Sequence, residues 1–134
     1  MENGRETRKV VLVVDDYDEV RVMLRKALEL RGCAVVEAAD GRQAVEVALR
    51  ERPDLILMDV WLPHQTGITA VQQIRQEPSM QRVPVIALTA YDAVDLHIKA
   101  IQAGCDQYLI KPINIDDLYN LLNRYLPETA PDAR

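Results

Sequence analysis

The sequence predicts an α/β domain in which one parallel sheet is covered by helices on both faces. Three observations lead there. Short apolar runs alternate with longer segments of helical periodicity, the pattern of repeated strand and helix units. The first run, Val10 to Val14, is continuously apolar, as a strand buried on both faces requires. Polar groups stand at the carboxyl ends of the runs: Asp15-Asp16 after Val14, Asp59 after Leu55 to Met58, Thr89 after Val83 to Leu88, and Lys111 after Tyr108 to Ile110. In an open parallel sheet those ends lie side by side, and ligands bind in the crevice outside them where strand order reverses. Positions far apart in the chain therefore describe a single site.

The first strand covers about Lys9 to Val14. Beyond the acids, Val20, Met23, Leu24, Ala27, Leu28 and Leu30 recur at mostly helical spacing, and Gly32 stands where a left-handed cap ends the first helix. Cys33 to Ala38 reads as the second strand and Asp40-Gly41 as a turn. Ala44, Val45, Ala48 and Leu49 mark the second helix, which stops before Pro53. Leu55 to Met58 is the third strand. A loop containing Pro63 and Gly67 leads to a helix over about Ile68 to Gln76, with Val71 and Ile74 inward and Pro78 ending it.

Val83 to Leu88 is the fourth strand, the fourth helix covers about Asp92 to Ala103 with Gly104 as its cap, and Gln107 to Ile110 is the fifth strand. The last helix begins near Asn114, whose side chain is placed to cap the amide of Asp116 or Asp117. Ile115, Leu118, Leu121, Leu122 and Tyr125 form its buried face. Five strands alternating with five helices require right-handed crossovers. The expected architecture is a flavodoxin-like (βα)5 three-layer sandwich with strand order 2-1-3-4-5.

A length of 134 residues suits one domain, enough to remove roughly two-thirds of the unfolded surface from water. The folded part is expected over 9–126, between flexible ends at 1–8 and 127–134. Apolar residues at 49% and charged residues at 28% exclude a disordered or low-complexity chain. The net charge of −5, with basic residues scattered among acids, lacks the cationic stripe that tracks a phosphate backbone, so direct nucleic-acid binding is not expected. No apolar run approaches the roughly 18–20 residues that span a bilayer, and the amino end has no signal-peptide core. A cytoplasmic protein without membrane contact is expected. Cys33, Cys105, His64 and His97 stand in no zinc or redox spacing, and the cysteines read as buried packing residues.

Carboxylates brought within several ångströms repel one another, which is tolerable only if a cation or protons offset the charge. Asp15, Asp16 and Asp59 against Lys111 leave a formal −2, which one divalent ion cancels. Oxygen ligands without nitrogen or sulfur point to Mg²⁺, which keeps several waters and favours phosphate oxygens. A carboxylate can attack phosphorus to give an aspartyl phosphate. Asp59 stands alone at the end of a buried strand and is the better nucleophile, whereas the adjacent Asp15 and Asp16 suit metal. Lys111 supplies charge and Thr89 a hydrogen bond to the phosphoryl oxygens. Each position alone has a bland reading: a turn and helix cap at Asp15-Asp16, a loop cap at Asp59, a solvated strand exit at Lys111. It is their joint occurrence at successive strand ends that carries the argument.

With VLVVDD, PDLILMDVWLP followed by Gly67, VPVIALTA and GCDQYLIKP on the page, the chain resembles the receiver domain of two-component response regulators from about Lys9 to Tyr125. The resemblance implies that Asp59 accepts phosphate from a histidine kinase or a histidine phosphotransfer protein. It implies that Asp16 and Asp59 ligate Mg²⁺ directly, Asp15 through water, and Trp61 through its backbone carbonyl. It also implies a switch in which Thr89 moves toward the phosphoryl group and Tyr108 turns inward, remodelling the face of the fourth helix, fifth strand and fifth helix for a downstream protein. A cis Lys111-Pro112 bond is a further expectation. Thr66 departs from the family, standing where an Asp or Asn often precedes the glycine. Trp61 and Tyr91 are expected to flank the phosphoryl group and impede the hydrolytic water, or else to lie on the surface.

A signalling receiver rather than an enzyme is therefore expected, acting as an adaptor or a phosphorelay intermediate. Met1 and the short tail after the last helix favour a stand-alone regulator without a DNA-binding output, and a receiver of a hybrid histidine kinase would look similar. An aspartyl-phosphate phosphatase of the haloacid dehalogenase type is disfavoured, because its DxD would sit on the first strand. Retention of all five site residues argues against a pseudo-receiver.

Overall fold

The computed structural model describes residues 8–62, 66–90 and 93–127. Five units of strand and helix follow one another: β1 (Val10–Val14), α1 (Asp18–Glu29), β2 (Ala34–Ala38), α2 (Gly41–Glu51), β3 (Leu55–Asp59), α3 (Gly67–Arg75), β4 (Val85–Ala90), α4 (Val94–Ala103), β5 (Gln107–Lys111) and α5 (Ile115–Tyr125). All strands pair in parallel in the order β2-β1-β3-β4-β5, the expected flavodoxin-like arrangement. The expected flexible ends fall almost wholly outside the described residues.

Side-chain alternation along the strands divides the core in two. Leu12, Val14, Ile56, Met58, Val85 and Ala87 face α2, α3 and α4. Val11, Val13, Leu55, Leu57, Ile86 and Leu88 face α1 and α5. Both faces of β1, β3 and β4 are thus covered, which is why those strands read as unbroken apolar runs.

Local chemistry sets the helix ends. Gly32, at φ 83°, and Cys33 donate backwards to the Glu29 and Leu28 carbonyls, closing α1 with a left-handed cap. Leu30, the last of the residues at mostly helical spacing, lies past the last helical turn and is exposed. Asp40-Gly41 is a helix start rather than a free turn: the Asp40 side chain accepts from the Gln43 amide and Gly41 is the first helical residue. On α2 the buried residues are Gly41, Ala44, Val47 and Ala48, with Leu49 exposed. Pro78 opens a single 3-10 turn, Pro78–Met80, after α3. Asn114 caps α5 through the Asp117 amide at 3.2 Å, as expected.

At the amino end of the sheet, Arg75 closes the structure. Its guanidinium donates to the Gly104 carbonyl at 2.8 and 3.1 Å and to the Met80 and Val83 carbonyls at 2.7 Å each, and it pairs with Asp106 at 3.2 Å. A Cβ at Gly104 would meet Arg75 Cγ at 2.9 Å, and φ is 124° there, so glycine is required on both counts. Arg75→Met keeps the apolar stem but strands three part-buried carbonyls. We expect it to lower unfolding free energy by roughly 2–4 kcal/mol, read as a drop in urea midpoint at unchanged slope.

Candidate functional site

The register levels the strand ends. Val14 pairs with Met58 and Asp59 with Leu88, so Asp15, Asp59 and Thr89 emerge together, and Ala90 pairs with Lys111 beside them. Asp15 is fully buried. Its Oδ1 accepts from the Tyr17 amide at 2.9 Å, and its Oδ2 accepts from Lys111 Nζ at 2.7 Å. Asp59 is only 4% exposed; Oδ1 accepts from the Trp61 amide at 3.0 Å and Oδ2 lies 3.2 Å from Lys111 Nζ. Asp16 is exposed, yet it offers an oxygen to a group in which the ligand atoms of Asp15, Asp16 and Asp59 all lie within 4.8 Å of one another. Thr89 is buried and points its Oγ1 to the Ala90 carbonyl at 3.4 Å.

Two neighbours hold this edge in place. Arg21 on α1 donates to the Asp15 backbone carbonyl at 2.6 Å and to Glu37 of β2 at 2.9 Å, tying the acidic turn to the adjoining strand. Gly67 starts α3 directly against β3. A Cβ on it would fall 2.0 Å from the Asp59 carbonyl oxygen and 3.0 Å from Val60 Cα, both immovable backbone atoms. Only glycine lets α3 approach the acid so closely.

Burial is the main force raising the Asp59 carboxyl, which is pushed up to about 6; the Trp61 amide and Lys111 oppose the rise, and the Asp15 charge adds to it. Burial disfavours the Lys111 ammonium, but the hydrogen bond it donates to Asp15 and the charges of both acids outweigh it, so Lys111 stays above its ordinary value. Three carboxylates against one ammonium leave the pocket with two negative charges in excess, and with oxygen donors alone. This donor set fits a hard divalent cation of the Mg²⁺ kind.

The structure thus brings Asp15, Asp16, Asp59 and Lys111 together, with Thr89 next to them on β4. Tyr108 on β5 is 40% exposed and stacks on His97 of α4, ring centroids 4.3 Å apart. The Trp61 side chain is 63% exposed. Tyr91, Pro63 and His64 lie outside the described residues. Lys111-Pro112 is cis, as expected. Both cysteines are buried thiols. Among the described residues no helix is long and apolar enough to cross a membrane. Sequence reasoning missed Arg21, Arg75 and the setting of His97; a half-buried arginine or a buried histidine reveals its partners only once the helices are placed.

Residues 11–123 match the family described as response regulator receiver domain. The chain belongs to that family. Response regulator MprA of Mycolicibacterium vanbaalenii is 36% identical over 122 residues, covering 91% of this chain and 52% of MprA. This receiver domain therefore spans about half the length of its MprA relatives. Among solved structures, the receiver domain of sensor histidine kinase PA1611 from Pseudomonas aeruginosa, with a magnesium ion coordinated in its active site cleft, superposes with a TM-score of 0.83 at 37% identity, covering 90% of this chain and 98% of that one. The receiver domain of the Saccharomyces cerevisiae response regulator Ssk1, solved with the histidine phosphotransfer protein Ypd1, gives 0.81 at 29% identity, covering 94% of each chain. The function is accordingly that of a two-component signalling receiver.

Two expectations follow from this geometry. Because the folded-state value of Asp59 lies above its ordinary 3.8, folded protein binds more protons, and stability falls as pH rises from about 4 through about 6. Asp59→Asn removes that burden: without divalent ion it should gain on the order of 2 kcal/mol over the parent at pH 8 and nothing near pH 4, measured by urea unfolding at both pH values. Gly67→Ala must displace backbone at β3 or α3, and should lower stability by about 2 kcal/mol or more in the same assay.

Proposed function

We propose that the domain accepts a phosphoryl group on Asp59 from the phosphohistidine of a histidine kinase or histidine phosphotransfer protein, and then changes the surface it offers a partner. One observation carries the reading: the Lys111 ammonium lies 2.7 Å from Asp15 and 3.2 Å from Asp59, inside a cluster of three acids. Asp59 is the acceptor because it stands alone at the end of the central strand β3 with an oxygen 3.2 Å from Lys111, whereas Asp15, equally buried and also paired with Lys111, adjoins Asp16 after β1 and suits the metal. As the N–P bond of the donor breaks and the O–P bond forms, Lys111 balances charge on the phosphoryl oxygens, and the Trp61 amide orients the carboxylate. Asp16, Asp59 and the Trp61 backbone carbonyl, with Asp15 through water, would hold a Mg²⁺ ion, which would supply the remaining positive charge and lower the proton affinity of Asp59.

Thr89 would exchange the Ala90 carbonyl for a phosphoryl oxygen, and Tyr108 would turn inward. The face then altered is built from α4, β5 and α5. It exposes Val94, Ile98, Ile101 and Ile110, an apolar set suited to a protein partner rather than nucleic acid. The Trp61 ring, exposed and two residues beyond Asp59, would hinder the water that hydrolyses the acyl phosphate. A second reading, relay of the phosphoryl group onward to a histidine, is favoured by the likeness to a kinase-borne receiver and to one solved with a phosphotransfer protein.

The test is incubation with Mg²⁺ and acetyl phosphate, read by intact mass. The parent should gain one phosphate, lost in Asp59→Asn and when EDTA removes the metal. Adduct formation in Asp59→Asn would refute the assignment, and continuous release of phosphate at rates far above adduct decay would make the protein a phosphatase instead.

A further inference from the structure

The Ala90 carbonyl is a meeting point. It accepts from the Thr89 hydroxyl at 3.4 Å and from the Ala93 amide at 3.2 Å. It also bonds Nε2 of His97 at 3.1 Å, and since a carbonyl can only accept, Nε2 carries the proton. The His97 ring, 8% exposed, lies against Tyr108 at 4.3 Å between centroids and 20° between planes. One imidazole on α4 therefore touches both the end of β4 that carries Thr89 and the aromatic of β5.

We propose that His97 is the positioning residue that couples Thr89 to Tyr108, holding the tyrosine ring outward until the Ala90 carbonyl moves. This deepens the function proposed above and rests on it. A shift of Thr89 toward Asp59 carries the adjoining Ala90 carbonyl with it, and the imidazole bonded to that oxygen must follow or let go. Either outcome disturbs the stack that keeps Tyr108 at the surface. Tyr108 also walls a groove with Val94, Ile98 and Ile101, so release of the ring reshapes the apolar face directly. The stack is strictly local to the observed outward arrangement: a ring turned inward leaves the face of the imidazole. His97 thus favours the outward state, and removing it raises the fraction of molecules already arranged to receive the phosphoryl group.

The rate of adduct formation with acetyl phosphate and Mg²⁺ reads this bias. His97→Leu, which loses both contacts, should accelerate phosphorylation about three- to tenfold, the scale of one aromatic stack. His97→Gln, which retains a donor for the Ala90 carbonyl but no ring, should also accelerate it, and serves if the leucine variant does not fold. In a Tyr108→Leu background the same substitutions should change the rate by less than about twofold, because the coupled partner is gone. Unchanged or slower phosphorylation in both variants, or an equal acceleration with and without Tyr108, would overturn the coupling role. Both failures leave the adduct on Asp59 of the parent intact; absence of that parental adduct would instead remove the functional reading and this inference with it.

Discussion

Electrostatic repulsion among three carboxylates at one edge of a parallel sheet is the constraint around which the rest is arranged. Asp15 and Asp59 are held out of water by the strands that end in them, so neither can be stabilised by solvent. The fold answers with one ammonium from β5 and with backbone amides from Tyr17 and Trp61. That answer is incomplete, and the incompleteness is what makes the edge a receptor for cationic and phosphoryl chemistry. Repulsion is retained where a pure scaffold would have removed it.

Much of this was legible in the chain. A strand buried on both faces must be apolar throughout, so β1, β3 and β4 stood out, and an acid terminating such a run has nowhere to go but the sheet edge. The strand ends were read one or two residues short, because Asp59, Thr89 and Lys111 keep strand geometry while looking like loop residues. The apolar residues that mark α2 do not coincide with its buried face: Ala44 and Ala48 are buried and Val45 packs against the core, but Leu49 is exposed and Val47, not among the markers, is buried. Several apolar residues on a short helix define an arc too wide to fix its rotation.

What could not be read was whatever depends on placement in space. Gly67 looked like an ordinary loop glycine, and its necessity exists only because the Asp59 carbonyl lies where its Cβ would be. His97 looked inert for want of metal-ligand spacing, but its partners, Ala90 and Tyr108, belong to two different strands. Arg75 gave no hint that four segments would converge on it. These residues act through contacts between elements, and periodicity reports on one element at a time.

The guanidinium knot at Arg75 has a mechanical consequence for α4. The carboxyl end of that helix is fastened through Gly104, while its amino end, without a side-chain cap among the described residues, is tied to the end of β4 through the Ala93 amide and the His97 imidazole on the Ala90 carbonyl. Any rearrangement transmitted along β4 must therefore swing the helix about a fixed rear pivot rather than slide it. Displacement then grows along the lever toward Val94, and shrinks to nothing beside Gly104.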